Sequence, residues 1–281
     1  MRVLSLGVVV KTFKLILIST LSLFIFLPAQ LSALEFNYHL YTKILEKNVY
    51  EEKTIKGMRV NVVDYKSLFK ESQKSDSDYS KYLKQLSLFN PDTLTTKADK
   101  IAFWVNAYNI GAIKMILDHY PVDSIRSMKI NFLKNPWDKK ILNINGRLYR
   151  LGEIEHDILL GKYKEKQAHF GMVCASVSCP DISKEVYKGK TLKTQLEKQA
   201  KELFKNSAKG LYIDRNRNKV FVSKIFKFDS KNFSQGVNDI IPFILPFIEN
   251  KKDKEYLEKK KYKLTFFDYD WDLNSLTNVK R

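Results

Sequence analysis

The chain has 281 residues, of which 44% are hydrophobic and 13% aromatic, so it can bury a substantial core and wholesale disorder is excluded. Its formal charge is +18, carried mainly by lysines that are spread along the whole length without an arginine-rich block. Such a surface attracts anionic polymers non-specifically. Because no nucleic-acid-binding motif accompanies the charge, sequence-specific recognition of nucleic acid is not expected.

The first 33 residues have the pattern of an export signal. Their charges are all positive, the apolar run from Leu15 to Leu27 is too short to span a bilayer comfortably, and Leu31-Ser32-Ala33 offers a cleavage site of small residues. The pattern predicts a periplasmic or secreted protein in which residues 34–281 form a single globular domain. An uncleaved anchor is the alternative, because Val3 to Val10 is also apolar. Membrane contact is expected only through this N-terminal segment.

The clearest element in the remaining chain is a helix over Lys97 to His119, preceded by threonines that can cap it. The run from Ile101 to Ile113 is apolar nearly all round, which is typical of a buried helix. Asn106 and Asn109 lie three residues apart on one face and need partners if they are buried. We interpret them as ties between loop backbone and the helix. The alternative is that they line a binding site.

Two hairpins are predicted beyond this helix, one over Lys140 to Arg150 around Asn145-Gly146, and one over Leu211 to Val222. A last strand is predicted at Tyr262 to Phe267. Helices fall between these hairpins. The order predicts an α+β fold with a mainly antiparallel sheet built from hairpins, packed with the buried central helix over residues 97–119 and with peripheral helices.

The stretch from His169 to Pro180 contains both cysteines of the chain, Cys174 and Cys179. It begins as an apolar run of strand length and ends in small residues and a proline, which predicts a strand followed by a turn. Cys179 lies in the predicted turn and is expected to be the better-exposed thiol. Two cysteines allow a single intrachain disulfide, and export would favour its formation. That disulfide would close a very short loop and constrain the unfolded chain little.

Several short motifs follow one another in a recognisable order. They are Phe103 to Asn109, Ile154-Glu155-His156, His169 to Pro180, Ser223 to Phe226 with Asp229, and Tyr269 to Asn274. In this order they resemble the motifs of domain-of-unknown-function family 547, over roughly Tyr65 to Asn274. The resemblance implies one compact domain in which distant motifs are brought together. It implies no substrate and no activity.

The first functional hypothesis is a thiol-dependent hydrolase or acyl transferase. Cys174 or Cys179 would attack an acyl carbon, and His156 or His169 would serve as the neighbouring base. A third group would orient the imidazole, with Asn106, Glu155 and Asp270 as candidates. The candidate substrate-binding residues are Trp104, Asn106, Asn109, Ser176 and Asp270.

Two alternatives stay open at this point. In the first, Cys174 and Cys179 form a structural disulfide in a non-catalytic domain that binds an anionic envelope polymer or a protein partner. In the second, His156, His169 and the two cysteines bind a metal ion, with Glu155 as an optional further ligand, although their spacing is unusual for zinc. No cofactor is expected, because the sequence has no glycine-rich phosphate loop, no nucleotide fingerprint and no Gly-x-Ser-x-Gly elbow.

Overall fold

A long buried helix, α4 (Lys97–Leu117), runs through the centre of the structure. It begins at Thr96, whose hydroxyl oxygen accepts a hydrogen bond from the backbone N–H of Asp99, as an N-cap residue should. From Ile101 onward nearly every side chain of α4 is buried, so the prediction of a central buried helix is confirmed. The structure is a computed structural model that describes residues 35–133 and 135–279. The predicted export signal lies outside the described residues and stays a prediction.

The other elements are short and are packed around α4. The remaining α-helices are α1 (His39–Asn48), α2 (Tyr65–Ser72), α3 (Asp78–Leu88), α5 (Ala168–Gly171), α6 (Leu192–Lys205), α7 (Ile225–Phe228), α8 (Val237–Ile244) and α9 (Lys251–Glu258). A π-helix spans Glu153–Lys162. The strands are β1 (Val49–Ile55), β2 (Met58–Val63), β3 (Lys140–Ile144), β4 (Arg147–Arg150), β5 (Leu211–Asp214), β6 (Lys219–Val222) and β7 (Lys263–Phe266). None of the helices in the described ranges is long and apolar enough to cross a membrane.

The described strands form three small sheets, β1–β2, β3–β4 and β5–β6–β7. Both predicted hairpins are present, and in the β3–β4 hairpin Asn145 and Gly146 take φ values of 50° and 76°. A two-residue turn with both φ values positive is the kind that Asn-Gly favours. The α+β class is therefore confirmed, and the described strands pair antiparallel except β6 and β7, which are parallel. A parallel partner requires a long crossover, and α7, α8 and α9 supply it here.

The core is divided into two large apolar clusters, one around α4 and one around α6, α8 and the β5–β6 hairpin. The chain from α5 onward joins them, because Phe170 in α5 is buried in the second cluster while Met172 and Val173 are buried in the first. The chain that carries the cysteines is thus fixed at the junction of the two clusters.

Two local predictions were wrong. The start of the cysteine stretch is the helical turn α5, in which the N–H of Met172 bonds to the carbonyl of Ala168, and it is not a strand. The sequence around Tyr41 to Glu51 also predicts a helix, but the helix ends at Asn48 and the chain continues as β1 paired with β2. In both places the deciding partners are distant in sequence, so local periodicity could not identify them.

Candidate functional site

Both cysteines and both histidines of the predicted site line one cleft of about 420 Å³, together with Glu155. The residues come from three separate places, namely the π-helix, α5 and the loop after α5. The sequence analysis could name these residues but not their meeting point. Their convergence supports a common site, and their separate contacts show how each of them is held.

The loop over residues 172–181, called the cysteine loop below, is anchored at its start by α4. The side-chain amide of Asn109 donates to the carbonyl of Gly171 at 2.9 Å, and its oxygen accepts from the N–H of Val173 at 2.9 Å. An amide that satisfies both a donor and an acceptor of the same segment fixes its backbone direction. Asn109 therefore positions the residue immediately before Cys174.

A buried lysine anchors the other end of the cysteine loop. Lys209 is only 1% exposed, and its ammonium group lies 2.8 Å from Asp181 Oδ1 and 2.8 Å from the carbonyl oxygen of Cys179. It also donates to the carbonyl of Val177 at 3.3 Å. A buried ammonium group has to be matched by acceptors. Lys209 uses three of them to fix the backbone around Cys179.

Between these anchors the loop pairs with the C-terminal segment, residues 270–275. The N–H of Asn274 donates to the carbonyl of Ala175 at 3.1 Å, and the N–H of Val177 donates to the carbonyl of Asp272 at 2.9 Å. Ala175 has a φ of 59°, in the left-handed region that side chains other than glycine rarely adopt. Such strain persists where surrounding contacts determine the backbone, and it is found most often at functional sites.

The two sulfur atoms are in direct contact. Cys174 Sγ lies 2.7 Å from Cys179 Sγ, and both thiols are free. The hydroxyl of Tyr269 and the Oγ of Ser176 lie 3.2 Å and 3.1 Å from Cys174 Sγ. The backbone N–H of Cys174 donates to Cys179 Sγ at 3.0 Å. Polar groups therefore surround the sulfur pair on several sides.

These contacts separate the acidities of the two thiols. Burial raises the pKa of Cys174, but its hydrogen bonds with Cys179, Ser176 and Tyr269 outweigh burial and hold the pKa below the ordinary thiol value. Burial and then the adjacent Cys174 raise the pKa of Cys179 well above that value. Cys174 is thus the sulfur that ionises first. The expectation that Cys179 is the better-exposed thiol was wrong, since the two residues are 6% and 4% exposed.

His169 is buried at the wall of the cleft and is held by a carboxylate. Its Nε2 lies 2.7 Å from Asp229 Oδ2, and Asp229 also accepts from the side-chain amide of Asn232 at 3.0 Å. Burial raises the pKa of Asp229, but the hydrogen bond and charge of His169 lower it by more, so the pKa of Asp229 lies below its ordinary value. Within residues 35–133 and 135–279, Nδ1 of His169 has no hydrogen-bond partner. His169 itself is among the residues that line the cleft.

His156 and Glu155 reach the cleft from the π-helix. Turns of the π type are frequent at functional sites. His156 is exposed, whereas Glu155 is half-buried and accepts a hydrogen bond from the hydroxyl of Tyr108 at 3.0 Å. The indole N–H of Trp137 donates to the same hydroxyl at 2.9 Å. Burial and the charge of Glu155 raise the pKa of Tyr108 well above normal, so this tyrosine stays a neutral donor.

The other residues named as binding candidates lie elsewhere or act through neighbours. Asn106 exchanges two hydrogen bonds with the backbone of Tyr187, at 2.8 and 3.0 Å, and is 1% exposed. Like Asn109, it ties loop backbone to α4 and is not among the residues that line the cleft. The tie between loop and helix is thus the interpretation that the contacts support.

Trp104 packs against Tyr149 with ring centroids 5.0 Å apart and is likewise absent from the cleft lining. Asp270 is bound to Lys56 at 3.1 Å on the molecular surface, outside the cleft. Ser176 contacts the Cys174 sulfur and is 1% exposed, so it touches the reactive group without lining the cleft. None of these three residues is among those that line the cleft.

Several residues at the site were not assigned a role by the sequence analysis. Asp229, Tyr108 and Tyr269 lie inside the motifs that carry the family resemblance, so the motifs could have led to them. Trp271 belongs to the same group and forms an aromatic wall of the cleft with Trp137, their ring centroids being 5.8 Å apart. Lys209 lies outside every motif, and an isolated lysine in a lysine-rich chain gives no signal of burial.

The described ranges contain no group of three or more His, Cys, Asp or Glu residues that is arranged to hold a metal ion. The cleft instead combines an acidic thiol, neutral tyrosine donors and a carboxylate-bound imidazole. These are the groups used in nucleophilic catalysis at an acyl carbon. The fold and the site together define an α+β protein with a thiol–imidazole cleft.

Residues 91–203 match the family model described as "Protein of unknown function, DUF547". The match confirms the resemblance drawn from the motifs. It covers α4, the π-helix and the cysteine loop, whereas Asp229 and Tyr269 lie beyond it. No curated protein and no solved structure gave a significant match to the chain.

Proposed function

We propose that the protein is a thiol-dependent acyl transferase or hydrolase with Cys174 as its nucleophile. The observation that carries this proposal is the meeting, in one cleft, of a thiol of lowered pKa with the His169–Asp229 pair. A thiolate is the reactive form of cysteine, and a lowered pKa increases the fraction of thiolate at a given pH.

In the first chemical step, Cys174 Sγ attacks the carbonyl carbon of an ester, thioester or amide. The carbon–heteroatom bond breaks, the leaving group takes a proton, and the acyl group remains on sulfur as a thioester. His169 supplies that proton in its protonated form, since Asp229 stabilises the positive charge of the imidazolium. Tyr108 donates its O–H to Glu155 and so holds that carboxylate at the cleft.

In the second step, water or an acceptor attacks the thioester, His169 takes the proton of that nucleophile, and the Cys174 thiolate is released. No imidazole hydrogen-bonds to a sulfur within residues 35–133 and 135–279, so Cys174 is activated by Cys179, Ser176 and Tyr269. The imidazole is then left to act on the leaving group and on the acceptor.

The test is acylation by p-nitrophenyl acetate, followed by mass spectrometry of the whole chain and of its peptides. We expect one acetyl group on Cys174, sensitive to hydroxylamine, and no stable adduct in Cys174→Ser. His169→Asn should retain the acetyl group longer than wild type, because deacylation loses its base. His39→Asn is the matched control, since His39 is exposed and does not line the cleft. Acetylation that persists in Cys174→Ser would refute the assignment.

A second function has one specific observation in its favour. The 2.7 Å contact between the sulfurs means that a short movement would join them as a disulfide, which would make the cysteine loop a structural clip in a binding domain. Titration of free thiols in the folded protein separates the two functions. If the thiols react only after reduction, the nucleophile is absent and the binding domain is favoured.

A further inference from the structure

A cluster of large apolar side chains is exposed beside the cleft. Phe132 and Leu133 are 82% and 81% exposed, and Met128 is 62% exposed. All three lie in the segment 126–133, called the rim loop below. Isolated exposed apolar residues are ordinary, but several together on a short segment mark an interaction surface.

The rim loop presents these side chains from an ordered backbone. Ile125 and Ile130 are buried in the core cluster around α4 and hold the loop from beneath. The N–H groups of Ile130 and Asn131 both donate to the carbonyl of Ser127, at 3.0 and 3.3 Å. Asn131 Oδ1 accepts from the N–H of Leu133 at 2.8 Å. The exposure of Phe132 and Leu133 is therefore set by local hydrogen bonds and by two buried anchors.

Positive charge accompanies the apolar side chains. Residues 122–140 contain five lysines and arginines against two aspartates in the sequence, and Arg126 and Lys129 are exposed on the rim loop itself. Exposed phenylalanine and leucine beside basic side chains match the interface of an anionic membrane, where acyl chains lie beneath negatively charged headgroups.

The rim loop also forms part of the cleft wall. Leu133 and Arg126 line the cleft, and the Arg126 guanidinium lies over the Trp271 ring at 4.9 Å from its centroid. Phe228, which is 50% exposed, lies on the same lining and contacts Trp271 with ring centroids 5.6 Å apart. Apolar exposure therefore continues from the loop onto the cleft.

We infer that the rim loop docks on an anionic phospholipid bilayer, with Phe132 and Leu133 entering the acyl-chain region and Arg126 and Lys129 contacting the headgroups. The docking places the cleft at the membrane surface. Membrane contact was expected only through the N-terminal segment, and this second contact is independent of that segment and of the chemistry at Cys174.

The test measures the depth of residue 132 in the full chain. Phe132→Trp is mixed with vesicles of two parts phosphatidylcholine to one part phosphatidylglycerol, with and without bromine on the acyl chains. Bromine quenches only indoles that reach the hydrocarbon, so Phe132→Trp should lose a larger fraction of its emission than wild type, which contains Trp104, Trp137 and Trp271. Leu88→Trp is the control, because Leu88 is 73% exposed on α3 and does not line the cleft. Its quenching should not exceed that of wild type.

The comparison remains valid if the N-terminal segment also inserts, because Trp104, Trp137 and Trp271 contribute to every variant and the difference in quenching between variants reports on the rim loop. Vesicles of phosphatidylcholine only, and high salt, should reduce the quenching of Phe132→Trp by weakening headgroup attraction. Equal quenching at positions 132 and 88, or none at either, overturns the inference. Lipid-independent self-association that is lost in Phe132→Ser also overturns it, since the occupant would then be a second copy.

Discussion

The two histidines of the cleft lie in contrasting surroundings. His169 is 7% exposed and bound to a carboxylate, on a segment fixed by Asn109, whereas His156 is exposed on a π-helix. The side of the cleft that carries His169, called the fixed wall below, also holds both sulfurs. Lys209 anchors it at the other end of the cysteine loop. The two sulfurs and the carboxylate-bound imidazole therefore lie on anchored segments, whereas His156 lies on an exposed one.

The largest expected effect comes from removing the buried anchor of the fixed wall. Lys209→Met leaves the carboxylate of Asp181 without its buried partner and releases the carbonyls of Val177 and Cys179. Breaking a buried pair from one side costs about 3–5 kcal/mol, and we expect that loss in the free energy of unfolding measured by urea denaturation.

The control for Lys209 is Lys205→Met, at a lysine paired with Glu202 and Glu249 on the surface. Its effect should be far smaller, because solvent screens such pairs. Comparable losses in the two variants would show that the cysteine loop does not depend on its buried lysine.

The next prediction compares two side-chain amides of α4 that make equivalent hydrogen bonds. Asn106→Ala and Asn109→Ala each leave a buried backbone donor and acceptor unpaired, and each unpaired group costs about 1–3 kcal/mol. Stability should fall similarly in both, as measured by urea denaturation. Only Asn109→Ala should slow the alkylation of Cys174 by iodoacetamide, since Asn109 fixes the residue before it. Equal alkylation rates in the two variants would contradict the positioning role.

A smaller effect is expected at the sulfur itself. Tyr269→Phe removes a hydroxyl 3.2 Å from Cys174 Sγ and should raise the pKa of that thiol. One hydrogen bond to a charged group corresponds to roughly one pKa unit, so alkylation at neutral pH should slow by up to about tenfold. The pH dependence of the iodoacetamide rate measures it. Tyr79→Phe is the control, because its buried hydroxyl has no partner among the described residues. A rate profile identical to wild type in Tyr269→Phe would exclude this contact as a cause.

What the sequence could predict depends on how far apart the deciding residues lie along the chain. The α4 helix and the β3–β4 hairpin are determined by signals a few residues apart, namely a threonine cap, an all-round apolar run and an Asn-Gly turn. These predictions were confirmed. The resemblance to the family likewise rested on contiguous motifs and was confirmed over residues 91–203.

The contacts that build the site are distant in sequence, and here the sequence predicted less. The Lys209–Asp181 pair spans 28 residues, and the contact between Tyr269 and Cys174 spans 95. The helical turn α5 in place of a strand follows from packing between two core clusters. Which residues belong to the site could be inferred from their chemical types, whereas the partner that tunes each of them required the fold.

The smallest expected effect is a change of stability in acid, and it tests the carboxylate of Asp229. The pKa of Asp229 is lowered in the folded protein, so its contribution to stability is fully present above the unfolded pKa, near 4, and declines as the pH falls through the folded value. The stability difference between wild type and Asp229→Asn should therefore shrink as the pH falls below about 4. Urea denaturation across this range measures the difference, and Asp76→Asn, an exposed loop residue, controls for net charge. A difference that stays constant through the acid range would mean that His169 gains nothing from the charge of Asp229.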